Sequence, residues 1–224
     1  MRRVRSLTTE DFLVLGSLAL TLAGITLGAL LATPAAFGVT ALLVLVLLLA
    51  GQYVSGSPRL AWLLAFGLVA GVVELWADWV HVTQLHTLVY TDYFGFRLLA
   101  SPAYMPVAWC IMVAQFGYLA LRLVERLPAW LTVALLSLLG LSLPPWYEQL
   151  AAPAQAWHYA TRGPMLSHTP LWIIGTYGIC MFAIASGALV FYRKGAWGRA
   201  LLGGFFVGTA LLFASVFWFS LLGR

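Results

Sequence analysis

The chain predicts an all-α, polytopic transmembrane bundle of seven helices, built as a single membrane domain over residues 1–224. Composition comes first: 62% of the 224 residues are hydrophobic and 8% are charged, with mean hydropathy +0.95. A soluble domain carries roughly a quarter charged residues. Charge-free stretches come next, since a helix needs about 20 apolar residues to cross roughly 30 Å of hydrocarbon. Finally, no segment sustains the period-two alternation of a membrane strand. Cytosolic enzymes of the Rossmann or barrel type and disordered chains are excluded. A net charge of +5 is strung between apolar runs rather than pooled, so no nucleic-acid partner is expected. Cys110 and Cys180 both lie in apolar runs and frame neither a disulfide scaffold nor a zinc cluster.

The spans follow in order. From Phe12 to Pro58 there is no charged residue, room for spans near 11–32 and 35–53 with Thr33-Pro34 as the break. Met1–Arg5 ahead of that run looks like the start of a signal peptide, but a run of about 20 residues exceeds the usual h-region and predicts an uncleaved span. The remaining spans fall near 59–83, 102–124, 128–144, 170–192 and 197–221. Thr33-Pro34, Ser57-Pro58, Ser101-Pro102 and Thr169-Pro170 precede four of them. Each predicts a hydroxyl N-cap followed by a proline that has no N–H to leave unsatisfied. With the N-terminus inside, nine basic residues (Arg2, Arg3, Arg5, Arg59, Arg122, Arg126, Arg193, Lys194, Arg199) face inward and Arg97, Arg162 and Arg224 outward. That bias predicts an inner (cytoplasmic) membrane protein with a cytoplasmic N-terminus and its polar loops on the outer face. Gly203-Gly204 and Gly208 suggest close packing, as with another subunit or in a homo-oligomer.

Polarity is concentrated in a few places. The third span ends with Glu74, Asp78 and His81. At about 100° per residue Asp78 lies some 40° from Glu74 and His81 about 20° to the other side, so all three share one face over about 10 Å. An acid deep in a span costs about 2.5–3.5 kcal/mol and so faces a protein interior or wet cavity. Asp78, His81 and His86 also suit a hydrated helix end at the headgroups, while Glu74 is deeper. Glu10 and Asp11 read as complement to the first helix's dipole. The connection 84–101 carries His86, Tyr90, Asp92, Tyr93 and Arg97; that at 145–169 carries Trp146, Tyr147, Glu148, Trp157, His158, Tyr159, Arg162 and His168. Glu148 also suits an interfacial acid in an aromatic belt. A faint repeat links the two units: acid, histidine, aromatic, then a hydroxyl-proline opening with Trp109 or Trp172 soon after.

Seven of ten tryptophans, among them Trp76, Trp109, Trp146, Trp157 and Trp172, fall toward the predicted outer half. Aromatic faces stabilise cations by about 2 kcal/mol or more when dry. Burial favours the neutral form of a carboxylic acid. Acids in a greasy aromatic pocket therefore suit protonation of an alkene.

The run Glu74 … Tyr90 … Leu98-Leu99-Ala-Ser-Pro102-Ala-Tyr-Met-Pro106-Val-Ala-Trp109, followed by Glu148 … Trp157-His-Tyr … Thr169-Pro170-Leu-Trp172, resembles polytopic carotenoid-biosynthesis proteins of the carotenoid hydratase type. Those have an acid in a helix before an aromatic loop and a P-x-A-W helix start. Pro145-Trp-Tyr-Glu148 looks more distantly like the proline–acid motifs of membrane lycopene cyclases, and the overall plan is similar to small membrane terpene cyclases. The resemblance covers about residues 70–175 and implies acid-initiated hydration or cyclisation of a long isoprenoid. Glu74 and Glu148 are the positions carried over as acids, while Asp78, His81, His158 and His168 have no counterpart in that pattern.

The expectation is an enzyme acting on a membrane-dissolved isoprenoid or carotenoid-like lipid. Its catalytic candidates are Glu74, Asp78, Glu148, His81 and His158. Trp76, Tyr90, Trp109, Trp146, Trp157, Tyr159 and Trp172 are its substrate-binding candidates, and no cofactor is expected. Two alternatives stand beside it. A metal-dependent lipid oxidase or hydroxylase would hold a divalent metal on ligands drawn from Asp78, His81, His86, His158 and His168. A non-enzymatic transport or assembly subunit needs only the scaffold.

Overall fold

The computed structural model describes residues 7–91, 93, 95–161 and 163–223. Asp92 and Arg162, named above, lie outside the described residues, as do Arg2, Arg3, Arg5 and Arg224. The helices are α1 (Thr9–Leu30), α2 (Ala35–Ser55), α3 (Pro58–Trp79), α4 (Met105–Leu123), α5 (Ala129–Gly140), α6 (Leu143–Ala151), α7 (Leu171–Phe191) and α8 (Trp197–Leu222). α3 runs on through a π-helical turn, Val80–Gln84, and α6 continues α5, so seven helical segments are long and apolar enough to cross a membrane. The chain is a multi-pass membrane protein. Glu148 belongs to the helical segment Ala129–Ala151 rather than to the connection where the sequence expectation put it.

Of the four expected hydroxyl-proline caps only one forms. Ser57 accepts from the Leu60 N–H ahead of Pro58. At α2 the cap position is Pro34 itself, with no side-chain bond. The other two hydroxyls are engaged in tertiary contacts: Ser101 donates to Asp78 and Thr169 to the carbonyl of Pro145. Ser101-Pro102 and Thr169-Pro170 are consequently strands, and α4 starts three residues later than expected.

Those strands build a small cap over one end of the bundle. β1 (Leu88–Tyr90) pairs antiparallel with β4 (Trp157–Tyr159), joining the two polar connections. β2 (Arg97–Leu98) with β3 (Ser101–Pro102), and β5 (Met165–Leu166) with β6 (Thr169–Pro170), are matching hairpins. The correspondence is detailed. His86 and Gln155, each two residues before its strand, have φ of 51° and 59°; Leu99 and Ser167, at the hairpin tips, have 52° and 54°. Side chains rarely occupy that left-handed region, so shared outliers mark a shared backbone path. Thr91 N–H donates to Ala156 O at 3.0 Å, and Ala160 N–H to Thr87 O at 2.9 Å. The faint repeat of the sequence is thus a structural one, relating α3–β3–α4 to α5–α6–β6–α7.

Close helix approach seats α3 at the centre. On α8, a Cβ at Gly204 would meet the Phe66 carbonyl, and one at Gly208 the side chain of Val73 and the Ala70 carbonyl. These glycines pack against α3 inside the chain and are not spare contact surface for another subunit. On the other side Gly67 and Gly71 face the backbone carbonyls of Cys110 and Pro106 on α4. The α1 end is tied down differently. The Thr8–Asp11 capping box closes it, and Asp11 also accepts from Arg122 Nε at 2.7 Å, Arg122 Nη2 at 2.7 Å and Tyr118 at 2.9 Å. Asp11 is therefore an ion-pair partner as well as a dipole complement.

Candidate functional site

α3 delivers three polar side chains to one place. Glu74, Asp78 and His81 are 3%, 6% and 3% exposed, and all line a cavity of about 60 Å³ beneath the strand cap. Their shared helical face is filled by α4, α7 and the cap rather than by headgroups. The widened turn that begins at Val80 carries His81; π-turns are frequent at functional sites.

Asp78 is held as an acceptor. Its Oδ2 receives the Tyr90 hydroxyl at 2.6 Å and the Ser101 hydroxyl at 2.6 Å. Strand alternation explains Tyr90: Leu88 and Tyr90 point inward while Val89 points out. Glu148, reaching the same cavity from α6, is its counterpart. Trp157 Nε1–H donates to its Oε2 at 2.6 Å and the Tyr177 hydroxyl to its Oε1 at 3.0 Å, with the Tyr159 phenol alongside. Each half of the repeat thus contributes one carboxylate and one strand tyrosine. Burial, then the neighbouring Asp78, pushes the Tyr90 phenol well above its ordinary value; burial and Glu148 do the same to Tyr159. Both phenols therefore stay protonated and keep donating.

Glu74 differs from the other two acids. It sits beside Asp78 and the Trp109 indole, yet its Oε2 finds no hydrogen-bond partner among the described residues. The same holds for His81 Nε2. The His81 ring lies flat on Trp172, centroids 4.5 Å apart, with Nδ1 2.9 Å from Thr87 Oγ1. The His81 carbonyl accepts from the Thr87 N–H at 2.8 Å, and either tautomer of the ring satisfies the contact with Thr87 Oγ1, as a donor or as an acceptor. Leaving a buried polar atom unpaired costs about 1–3 kcal/mol. With Trp172 Nε1, three such atoms belong to residues that line this one cavity, an arrangement suited to a polar group from outside the chain.

Of the residues expected at the site, Glu74, Asp78, His81, Glu148, Tyr90, Trp109, Trp157, Tyr159 and Trp172 come together around this cavity. Five do not. His158 alternates with the inward Trp157 and Tyr159, lies opposite Val89 and is exposed on the outer side of the cap. His86 precedes β1 and His168 sits in the β5–β6 hairpin, both exposed. Trp76 and Trp146 are 53% and 42% exposed and face away from the bundle. The proposed ligands Asp78, His81, His86, His158 and His168 therefore do not converge, and among the described residues no group of three His, Cys, Asp or Glu is placed to hold a metal ion. Sequence reasoning missed Tyr177, which stacks on Trp109 with centroids 6.0 Å apart. The signal was present: Trp109 lies eight residues after Ser101, and Tyr177 eight after Thr169. Trp172 is not the repeat counterpart of Trp109.

No curated protein and no solved structure matches the chain. A family model described as "Domain of unknown function (DUF6989)" matches residues 75–222. That stretch takes in Asp78, His81, the whole strand cap, Glu148 and Tyr177, and leaves α1 and α2 outside. With the match covering well over half of its length, the chain belongs to the DUF6989 family.

Proposed function

We propose that this protein is an enzyme that acts on a membrane-dissolved isoprenoid or carotenoid-like lipid by acid-initiated hydration or cyclisation. One observation carries the reading: three buried carboxyl groups share an aromatic-lined cavity, and one of them, Glu74, presents an oxygen with no partner among the described residues. Asp78 and Glu148 each accept from two donors, the arrangement of carboxylates. Glu74 is then the acid. Its proton adds to one carbon of a double bond, forming a C–H bond as the π pair is used, and a carbocation remains. Trp109, Trp157 and Trp172 offer π faces to that cation, and Asp78 and Glu148 supply fixed negative charge where positive charge develops.

Two endings balance. In hydration, a water held by His81 Nε2 adds its oxygen to the cation, and its surplus proton returns through His81 to the carboxylates. In cyclisation, the next double bond of the substrate attacks the cation, and a carboxylate removes a proton to restore an alkene, so the product is an isomer. The likeness to carotenoid hydratases and cyclases points the same way, and the basic residues suggest an inner membrane with the N-terminus inside.

The test is chemical. Membranes carrying the protein are supplied with linear isoprenoids, and their lipid extracts are compared with extracts from membranes lacking it. The expected result is a new product heavier by one water or isomeric with the substrate. Unchanged extracts across linear isoprenoids of several lengths would overturn the reading.

A further inference from the structure

A second cavity, of about 100 Å³, lies between the α1–α2 hairpin and α4. It is mostly apolar, and it shares three wall residues, Met105, Trp109 and Tyr177, with the acid cavity. The Trp109–Tyr177 stack separates the two spaces. Along α4 the lining runs from Met105 to Phe116, about 16 Å of helix, roughly half the thickness of the hydrocarbon layer. Polar groups gather at the far end: buried Gln115 donates from Nε2 to Ser17 Oγ at 3.0 Å and Thr21 Oγ1 at 3.4 Å. Met105, Met112 and Met181 all line it, and methionine adapts to an irregular apolar guest.

We propose that this cleft is the binding site for the hydrocarbon tail of a linear isoprenoid chain, whose reactive double bond lies beyond Trp109 and Tyr177 in the acid cavity. The shape and chemistry of the cleft set the occupant. The walls are mostly apolar and run lengthwise along a membrane helix, the Trp109–Tyr177 stack is the wall shared with the cavity that holds the carboxyl groups, and the Gln115–Ser17–Thr21 cluster lies at the other end as a stop. That stop limits how much chain the site accepts. The identity of the occupant as substrate rests on the function proposed above; the existence of a chain-binding cleft does not.

The experiment uses the full-length purified protein in lipid nanodiscs with a linear isoprenoid alcohol bearing a mid-chain diazirine, irradiated and mapped by peptide mass spectrometry. Adducts are expected on cleft residues such as Met112 and Leu22, competed by unlabelled chain. They should exceed adducts on the outward-facing Leu42 and Val46 of α2 by about tenfold. Ala108→Trp, which fills the cleft, is expected to reduce them by about tenfold while labelling of Leu42 and Val46 persists; Ala41→Leu provides a second block should the first variant not fold. Cleft labelling no stronger than that of Leu42 and Val46, or unchanged by a folded blocking variant, would overturn the proposal. Labelling requires no turnover. A blocked and labelled cleft in a protein that converts nothing supports the tail site and removes the enzymatic reading. Conversion without cleft labelling does the reverse.

Discussion

Glu74→Gln is expected to lower conversion by about 10²- to 10⁴-fold, the range of a lost general acid, while the protein still inserts and keeps its thermal midpoint. The substitution is nearly isosteric, and the new amide can keep the side-chain hydrogen bond that Glu74 makes to Asp78, so the fold is preserved as the chemistry loses its proton. Glu148→Gln should behave differently. It removes charge facing the cation but no transferable proton, and a loss of about 10²- to 10³-fold is expected. Rates of purified variants in detergent, with melting curves for each, separate the two effects. Full activity in Glu74→Gln would remove Glu74 from the mechanism.

The largest expected effect on stability lies at the opposite end of the bundle. Arg122 bonds Asp11 through two nitrogens and Glu125 through a third, at 2.6–2.7 Å, and the side chains of Arg122 and Asp11 are only 13% and 8% exposed. Arg122→Ala strands the Asp11 charge, a loss of about 3–5 kcal/mol for a broken buried pair. The variant should therefore melt well below the parent. Adding Asp11→Asn should recover part of the loss, because the uncompensated charge disappears with it. A double variant no more stable than Arg122→Ala would show that the pair does not anchor α1.

How much of this was legible follows physical lines. Hydropathy fixes spans because the bilayer demands length and apolarity, and neither depends on partners. The 3.6-residue period likewise put Glu74, Asp78 and His81 on one face. It could not say what covers that face, so Asp78 and His81 also read as hydrated groups, whereas the strand cap buries them. The cap itself left almost no trace. β1 and β4 are three residues each and pair across 69 positions, too short for alternation to register. For the same reason His158 looked equivalent to Trp157 and Tyr159, although a strand sends it to the other side. Ser101 and Thr169 were misread because a hydroxyl before proline suits an N-cap and a tertiary donor equally, and only the nearby Asp78 and Pro145 decide. Tyr177 escapes a comparison by residue type because its counterpart Trp109 is an indole, and only the shared spacing of eight from Thr169 and Ser101 relates them.

The central claim is that a proton from the protein starts the reaction. Turnover in deuterated water under heavy-isotope oxygen gas tests it most directly. The account predicts one solvent deuterium bound to carbon for each product formed, with any added oxygen coming from water. Product that carries oxygen from the gas and no carbon-bound deuterium would contradict it.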